Sequence, residues 1–407
     1  MKLFFLETKF NRYSITPIVA SLEQRNDLNV DIVFFSQKDI ETLEVLMKDC
    51  DEGVFCFSFC SPQWKEIKSI YTFLREKYPA SIFIAGGPAP SGAPRKVLDL
   101  GFDYVFVGEA EKTFPELLST GFRNLDRKRK SVIKGERIDL NEFMAWSTIN
   151  KRFSPLEITR GCPFACKFCQ TSYLFGTKPR HRSIESIQSH AEIFLRHGMR
   201  DFRFITPNAM SYGSYDGKTL NLDAVEQMLK SLRELSDRLR LFFGTFPSEI
   251  RPEHLTKEAI QTIKPYIFNR NFTIGAQSGS DRMLDRMHRG HSTEDVYRAV
   301  KNAIEEGFSV DVDFIFGLPE ETSDDQKKTI KFMELLVNLG RSKNLPVRIH
   351  SHYFIPLTGT PYGNYEPSGI SKELTTFLGK LYNSGRIFGH WHKQKIYTSE
   401  ITAKIRA

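Results

Sequence analysis

Apolar residues in the first 120 positions fall in short β-rich runs separated by amphipathic stretches. The runs are Leu3–Glu7, Val30–Phe35, Gly53–Phe59, Ser81–Ala85 and Tyr104–Val107. They are apolar on both faces, as strands covered by helices on either side should be. Ser36 stands ahead of a helical stretch ending at Met47. Ser61-Pro62 offers an N-cap and a first-turn proline for another through Lys77. This alternation predicts an α/β fold for residues 1–121, a doubly wound parallel sheet of flavodoxin-like order. A second alternation begins at Leu156–Thr159. It continues through Asp201–Thr206, Leu241–Thr245, Asn271–Ala276, Ser309–Phe316 and Arg348–Ile355. Asp223–Leu235 and Glu294–Glu306 are its clearest helices. Six β/α units predict a partial (β/α)6 barrel over 154–362, short of the full eight. Residues 122–153 read as a linker and 363–407 as a mainly helical extension, with Ser371–Ile387 as its helix.

The chain has 407 residues, 40% hydrophobic and 26% charged, which fits a globular protein of more than one domain. No apolar run approaches the roughly 18 residues that would span a bilayer. The apolar start after Lys2 is too short for a signal peptide. A cytoplasmic protein with no membrane partner is therefore expected. Net charge is +8, but acidic residues are interspersed almost everywhere. Nucleic acid is not an expected partner, and the basic stretch at 126–130 reads as solvated linker. Six cysteines form two groups, Cys50/Cys56/Cys60 and Cys162/Cys166/Cys169. In a reducing compartment such grouping points to metal or catalysis ahead of cross-links.

The second group closes a strand-to-loop passage, Glu157-Ile-Thr-Arg-Gly-Cys-Pro-Phe-Ala-Cys-Lys-Phe-Cys. Three soft thiolates within eight residues suit the corners of an iron–sulfur cubane. Three cysteines, one short of a full set, leave one iron open to a ligand. A zinc site completed by His181 or another histidine is the competing reading, and the spacing disfavours it. In the first region, ligands bind beyond the carboxyl ends of the strands. Ser58, Cys60 and Ser61 fall there, with Gly86-Gly87-Pro88 and Gly108-Glu109-Ala110-Glu111. Paired glycines permit close backbone approach, although small residues at strand ends also serve the fold alone. Cys56 and Cys60 would lie about 13 Å apart on an extended strand, which favours buried free thiols over a second cluster.

With Phe168 before its last cysteine, the C-x3-C-x2-C loop resembles that of radical S-adenosylmethionine (SAM) enzymes. The resemblance implies a [4Fe-4S] cluster on Cys162, Cys166 and Cys169, with SAM chelated at the open iron. It also implies reductive cleavage of SAM to a 5′-deoxyadenosyl radical, fed by an electron donor such as a flavodoxin or ferredoxin. Thr206-Pro-Asn208 stands where that family has Gly-Gly-Glu. Gln277-Ser278 ends the fourth barrel strand, and Ile315-Phe-Gly317-Leu-Pro-Glu320 resembles the family's adenine segment. Implied SAM contacts are therefore Phe168, Thr206, Asn208, Gln277, Ser278, Ile315, Gly317 and Glu320. Pro356-Leu-Thr-Gly-Thr-Pro is a further family element.

The first region resembles the cobalamin-binding domains of such enzymes through Ile84-Ala-Gly-Gly-Pro, Gly101-Phe-Asp-Tyr-Val and Gly108-Glu-Ala-Glu-Lys-Thr-Phe. Implied cobalamin contacts are Ser58, Gly86, Gly87, Gly108 and Glu109. No histidine precedes His181, so the domain would give cobalt no imidazole. The two resemblances together imply a cobalamin-dependent methyltransferase acting on an unactivated carbon of a small molecule or protein. Gln277-Ser-Gly-Ser-Asp-Arg-Met-Leu-Asp-Arg-Met-His-Arg-Gly-His resembles methylthiotransferases instead. Those enzymes carry three widely spaced N-terminal cysteines and a C-terminal β-rich RNA-binding module, and this chain shows neither pattern. A non-catalytic cobalamin or iron–sulfur sensor is a third reading. His350 and His352 alternate beside Arg348 on the last strand, and Glu249 and Arg251 follow the third. All are candidates for substrate or cofactor contact. His390 and His392 flank Trp391 without completing a metal site.

Overall fold

The computed structural model describes residues 1–47, 52–120 and 130–403. They divide into two compact units. The first contains Met1–Ser154, with Tyr173–Phe175 and Leu357–Gly363 joined to it. The second contains the other described residues.

In the first unit six parallel strands form one sheet: β1 (Lys2–Leu6), β2 (Asp31–Phe35), β3 (Val54–Ser58), β4 (Ile82–Gly86), β5 (Tyr104–Val107) and β6 (Ser131–Lys134). Their order is β2-β1-β3-β4-β5-β6, a doubly wound arrangement. Alternate residues of each strand feed two cores, one on each face. Phe55 and Phe57 join Phe4, Phe83 and Ile67 on one side, and Cys56 joins Leu3, Phe5 and Phe114 on the other. Phe55 stacks on Phe83 at 4.9 Å between ring centroids. Burying each such ring contributes about 1.5–3 kcal/mol.

Two local expectations change. Cys60, not Ser61, caps the turn before the helix Trp64–Lys77. Ser61 is fully buried, and its hydroxyl accepts from Thr358 N–H. Residues 130–153, expected as part of a linker, pack into this unit: β6 extends the sheet beside β5, and Trp146 is buried with Nε1 donating to Ser154 O. The strand is short and half exposed, so it carries little periodic signal. Cys50 and most of the 126–130 basic stretch lie outside the described residues.

The second unit is a partial barrel. Its short first strands are β7 (Leu156–Glu157), β8 (Thr159–Arg160) and β9 (Arg180–His181). The remaining strands are β10 (Asp201–Ile205), β11 (Arg240–Phe242), β12 (Asn271–Gln277), β13 (Ser309–Phe316), β14 (Val347–Tyr353) and β15 (Ile387–Gly389). Parallel pairing runs β7-β10-β11, then β12-β13-β14-β15, and a parallel bridge between Ile250 and Ile274 links the two sets. The extension expected to be mainly helical thus adds a strand. Lys372–Asn383 and Trp391–Ala403 are helices, and β15 between them pairs with β14. No helix among the described residues is long and apolar enough to cross a membrane.

Candidate functional site

The cysteine loop is held by its own backbone and by two neighbours. Gly176 O accepts from Cys162 N–H, and Cys166 O accepts from Cys169 N–H, each at 3.0 Å. Ser172 Oγ donates to Cys162 O and accepts from Ala165 N–H. Lys167 N–H donates to Met287 O, tying the loop to the turn that carries Arg289. Cys169 Sγ lies 3.3 Å from Thr171 Oγ1. Burial pushes the Cys162 and Cys169 thiols up from their ordinary range.

Arg289 lies half-buried against this loop. One guanidinium nitrogen lies 3.7 Å from Cys166 Sγ, and another donates to Gly275 O at 2.8 Å. Its Nε is buried with no hydrogen-bond partner among the described residues. Arg251 is buried, paired with Glu253 at 2.5 Å and stacked 3.4 Å above the Phe164 ring. Two cations beside three thiols, Arg251 buried and Arg289 half-buried, create a setting that stabilises anionic sulfur.

Next to the loop is a cavity of about 350 Å³. Phe168, Cys169, Thr206, Gln277 and Ile315 line it, so four of the expected SAM contacts and one expected cluster cysteine meet there. Glu249, Arg251, Arg289, Asp313 and His352 complete its polar wall. Glu249 is raised well above the carboxylate range by burial and by Asp313, and burial pushes Asp313 up to about 7.

Other predicted contacts go elsewhere. Asn208 uses both ends of its amide locally: Nδ2 lies 2.6 Å from His254 Nδ1, and Oδ1 accepts from Arg251 N–H. Its neighbour Thr206 donates to Asn208 O. Ser278 is buried, its hydroxyl accepting from Ser280 N–H. Gly317 abuts Tyr353, where an added Cβ would come within 2.7 Å of the ring. Glu320 is on the surface, ion-paired with Arg286. The buried carboxyl of that segment is Glu321, which accepts from Gly317 N–H at 2.9 Å. Sequence reasoning gave no role to Arg289 or Asp313. Arg289 sits in a segment quoted for its family likeness, and Asp313 alternates with Ile315 on β13, which was the available signal.

In the first unit, Ser58, Gly86, Gly87 and Gly108 all stand at the carboxyl ends of β3, β4 and β5. Ser58 Oγ is 2.7 Å from Ser14 Oγ. Gly87 has φ +93°, and a Cβ there would meet Ser58 Oγ at 2.8 Å. Beside Gly108 an added Cβ would meet nothing within 4 Å. Glu109 is buried and accepts from Ile138 N–H.

Known proteins bear on these features. The radical SAM superfamily matches residues 156–333, and the B12 binding domain matches residues 13–118. A putative methylthiotransferase of Methanocaldococcus jannaschii is 28% identical over 328 residues, 78% of this chain and 67% of its own length. A tRNA-2-methylthio-N(6)-dimethylallyladenosine synthase of Petrotoga mobilis is 28% identical over 257 residues, 62% of this chain but only 55% of its own length. In structure, the chain resembles TsrM of Kitasatospora setae, a radical SAM methyltransferase solved with cobalamin and a [4Fe-4S] cluster. The TM-score is 0.66 at 15% identity, covering 90% of this chain and 77% of that one. OxsB, a cobalamin-dependent radical enzyme solved with aqua-cobalamin and SAM, gives 0.64 at 16% identity, covering 95% and 61%.

Radical SAM chemistry requires a [4Fe-4S] cluster and SAM, and a B12-binding domain takes cobalamin. The donor chemistry fits: three sulfurs on one loop, a half-buried guanidinium beside them whose buried Nε has no hydrogen-bond partner among the described residues, and open space at Gly108. The chain carries a radical SAM domain at residues 156–333 and, ahead of it, a B12 binding domain at residues 13–118.

Proposed function

We propose that this protein is a cobalamin-dependent radical SAM methyltransferase acting on an unactivated carbon. The observation that carries the reading is the joining of a B12-binding domain without histidine to a loop whose three thiolates leave one iron free. A bound cluster and SAM would supply a 5′-deoxyadenosyl radical, and cobalamin would supply the methyl group. Cys162, Cys166 and Cys169 would hold the cluster. Phe168, Thr206, Gln277 and Ile315 would wall the SAM site, and Arg251 and Arg289 would face its carboxylate. Ser58, Gly86, Gly87 and Gly108 would edge the cobalamin slot. The reductant would be a small electron-transfer protein, and the substrate a small molecule or protein side chain.

The names of the curated relatives favour methylthio transfer. Cys56 and Cys60 count against it: Cys56 points into the hydrophobic core, while Cys60 caps a turn. Burial pushes Cys60 up to about 11, so neither is poised as a thiolate ligand. The test is anaerobic reconstitution with iron, sulfide and hydroxocobalamin, followed by SAM and a reductant. Methyl transfer predicts about four iron and one cobalamin per chain, with 5′-deoxyadenosine released. About eight iron and no cobalamin would instead establish the methylthio reading.

A further inference from the structure

On the β13–β14 wall of the cavity is a side-chain cluster that neither the [4Fe-4S] loop nor the B12 domain uses. Asp313 stands opposite His350 in the parallel register, and His352 follows on the same face. His350 Nδ1 is 2.8 Å from Asp313 Oδ1 and 3.2 Å from His352 Nε2. One ligand atom from each of the three residues lies within 4.8 Å of the other two. Ligands on a tetrahedral ion at about 2.1 Å stand about 3.3 Å apart, close to this spacing. His350 Nδ1 faces two partners but can carry only one proton, so hydrogen bonding alone satisfies this trio poorly. Phe388 stacks on the His350 ring at 4.5 Å and 4°, fixing its orientation.

We propose that Asp313, His350 and His352 bind one divalent transition-metal ion, distinct from the cluster cysteines. Asp313 and His352 both line the cavity, so a coordination position faces it and can take an oxygen or nitrogen of the substrate. Two imidazoles and a carboxylate select zinc-like ions over magnesium or calcium. The site rests on these side chains alone and is independent of which group the enzyme transfers.

Gln394 provides a second handle. Tyr353 N–H donates to its Oε1 at 2.8 Å, which leaves Nε2 3.4 Å from His352 Nδ1. A histidine ligating through Nε2 carries its proton on Nδ1 and is strengthened by an acceptor there. Gln394→Glu supplies that acceptor.

Full-length protein with its cluster reconstituted, then freed of loosely bound metal, is titrated anaerobically with zinc sulfate by calorimetry and metal analysis. One zinc per chain should bind beside the iron. His352→Ala and Asp313→Asn should each weaken it about 100-fold, and Gln394→Glu should tighten it about tenfold, with iron unchanged in all three. The variant with Cys162, Cys166 and Cys169 all changed to alanine should still bind zinc. Failure of the wild type to bind zinc overturns the proposal. Iron(II) and manganese(II) bind such donors more weakly than zinc does, so neither would rescue it. Zinc lost with the cysteines but kept in His352→Ala also overturns it, because the ion would then be on sulfur. Loss of SAM cleavage bears on the proposed reaction and not on this site.

Discussion

Arg289 is the residue whose surroundings say most about the cluster loop. A half-buried guanidinium 3.7 Å from Cys166 Sγ favours the more negative state of whatever that sulfur binds, because reduced exposure to water strengthens the attraction. Arg289→Met should therefore shift the cluster's midpoint potential negative, by roughly 60 mV for a tenfold change in a one-electron equilibrium. Redox titration followed by electron paramagnetic resonance measures it, and an unchanged potential would remove Arg289 from the cluster environment. Residues of this kind are hard to read from sequence. The thiolates announce themselves by spacing, whereas Arg289 reaches them only because the Lys167–Met287 hydrogen bond folds one loop onto the other. Glu320 shows the converse. It fits the motif spacing, yet its positive φ of 62° turns its side chain out to Arg286 while Glu321 turns inward.

At the level of elements, the β13 turn links pH to stability through Glu321. Burial raises its carboxyl to about 7 from its ordinary 4.5, against the pull of the Gly317 N–H. A raised acid binds more protons folded than unfolded between those values. Its stabilising contribution is complete below about pH 4.5 and is lost as pH rises through about 7. Glu321→Gln should remove that decline, worth at most about 3 kcal/mol, when unfolding is compared across pH 4.5–7.5. Parallel slopes for variant and wild type would contradict it. At the B12 domain the strand ends suggest a different probe. Gly87→Ala would be forced against Ser58, so it tests folding as much as binding. Gly108 has open space beside it, so Gly108→Trp costs only the positive-φ strain of about 1–3 kcal/mol. It should abolish hydroxocobalamin retention while leaving iron content intact. Retention at the wild-type level would exclude the β5 end from the slot. The main strands of both units were legible because double-sided apolar runs are distinctive. β6 and β15 were not: four and three residues long, they are placed by pairing with β5 and β14 and have little pattern of their own.

For the whole molecule, the question is how many clusters the chain holds, and the two cysteine groups answer differently. Cys162, Cys166 and Cys169 share one loop, braced by Ser172 and faced by Arg289. Cys56 is packed among Leu3, Phe5 and Phe114, and its thiol is pushed far up by burial with no cation beside it. Bringing Cys56 to a metal would empty a place in the sheet's core at a cost of several kcal/mol, whereas the barrel loop gives up no packing. This supports the proposal of a single cluster. Changing Cys162, Cys166 and Cys169 together to alanine should abolish bound iron, the brown absorption and all SAM cleavage. Changing Cys50, Cys56 and Cys60 to alanine, serine and serine should lower stability through Cys56 yet leave iron near four per chain. Metal analysis and the visible spectrum of the two reconstituted triple variants decide it: equal loss of iron from both would mean that a second cluster shares the first unit, and the methylthio reading would then prevail.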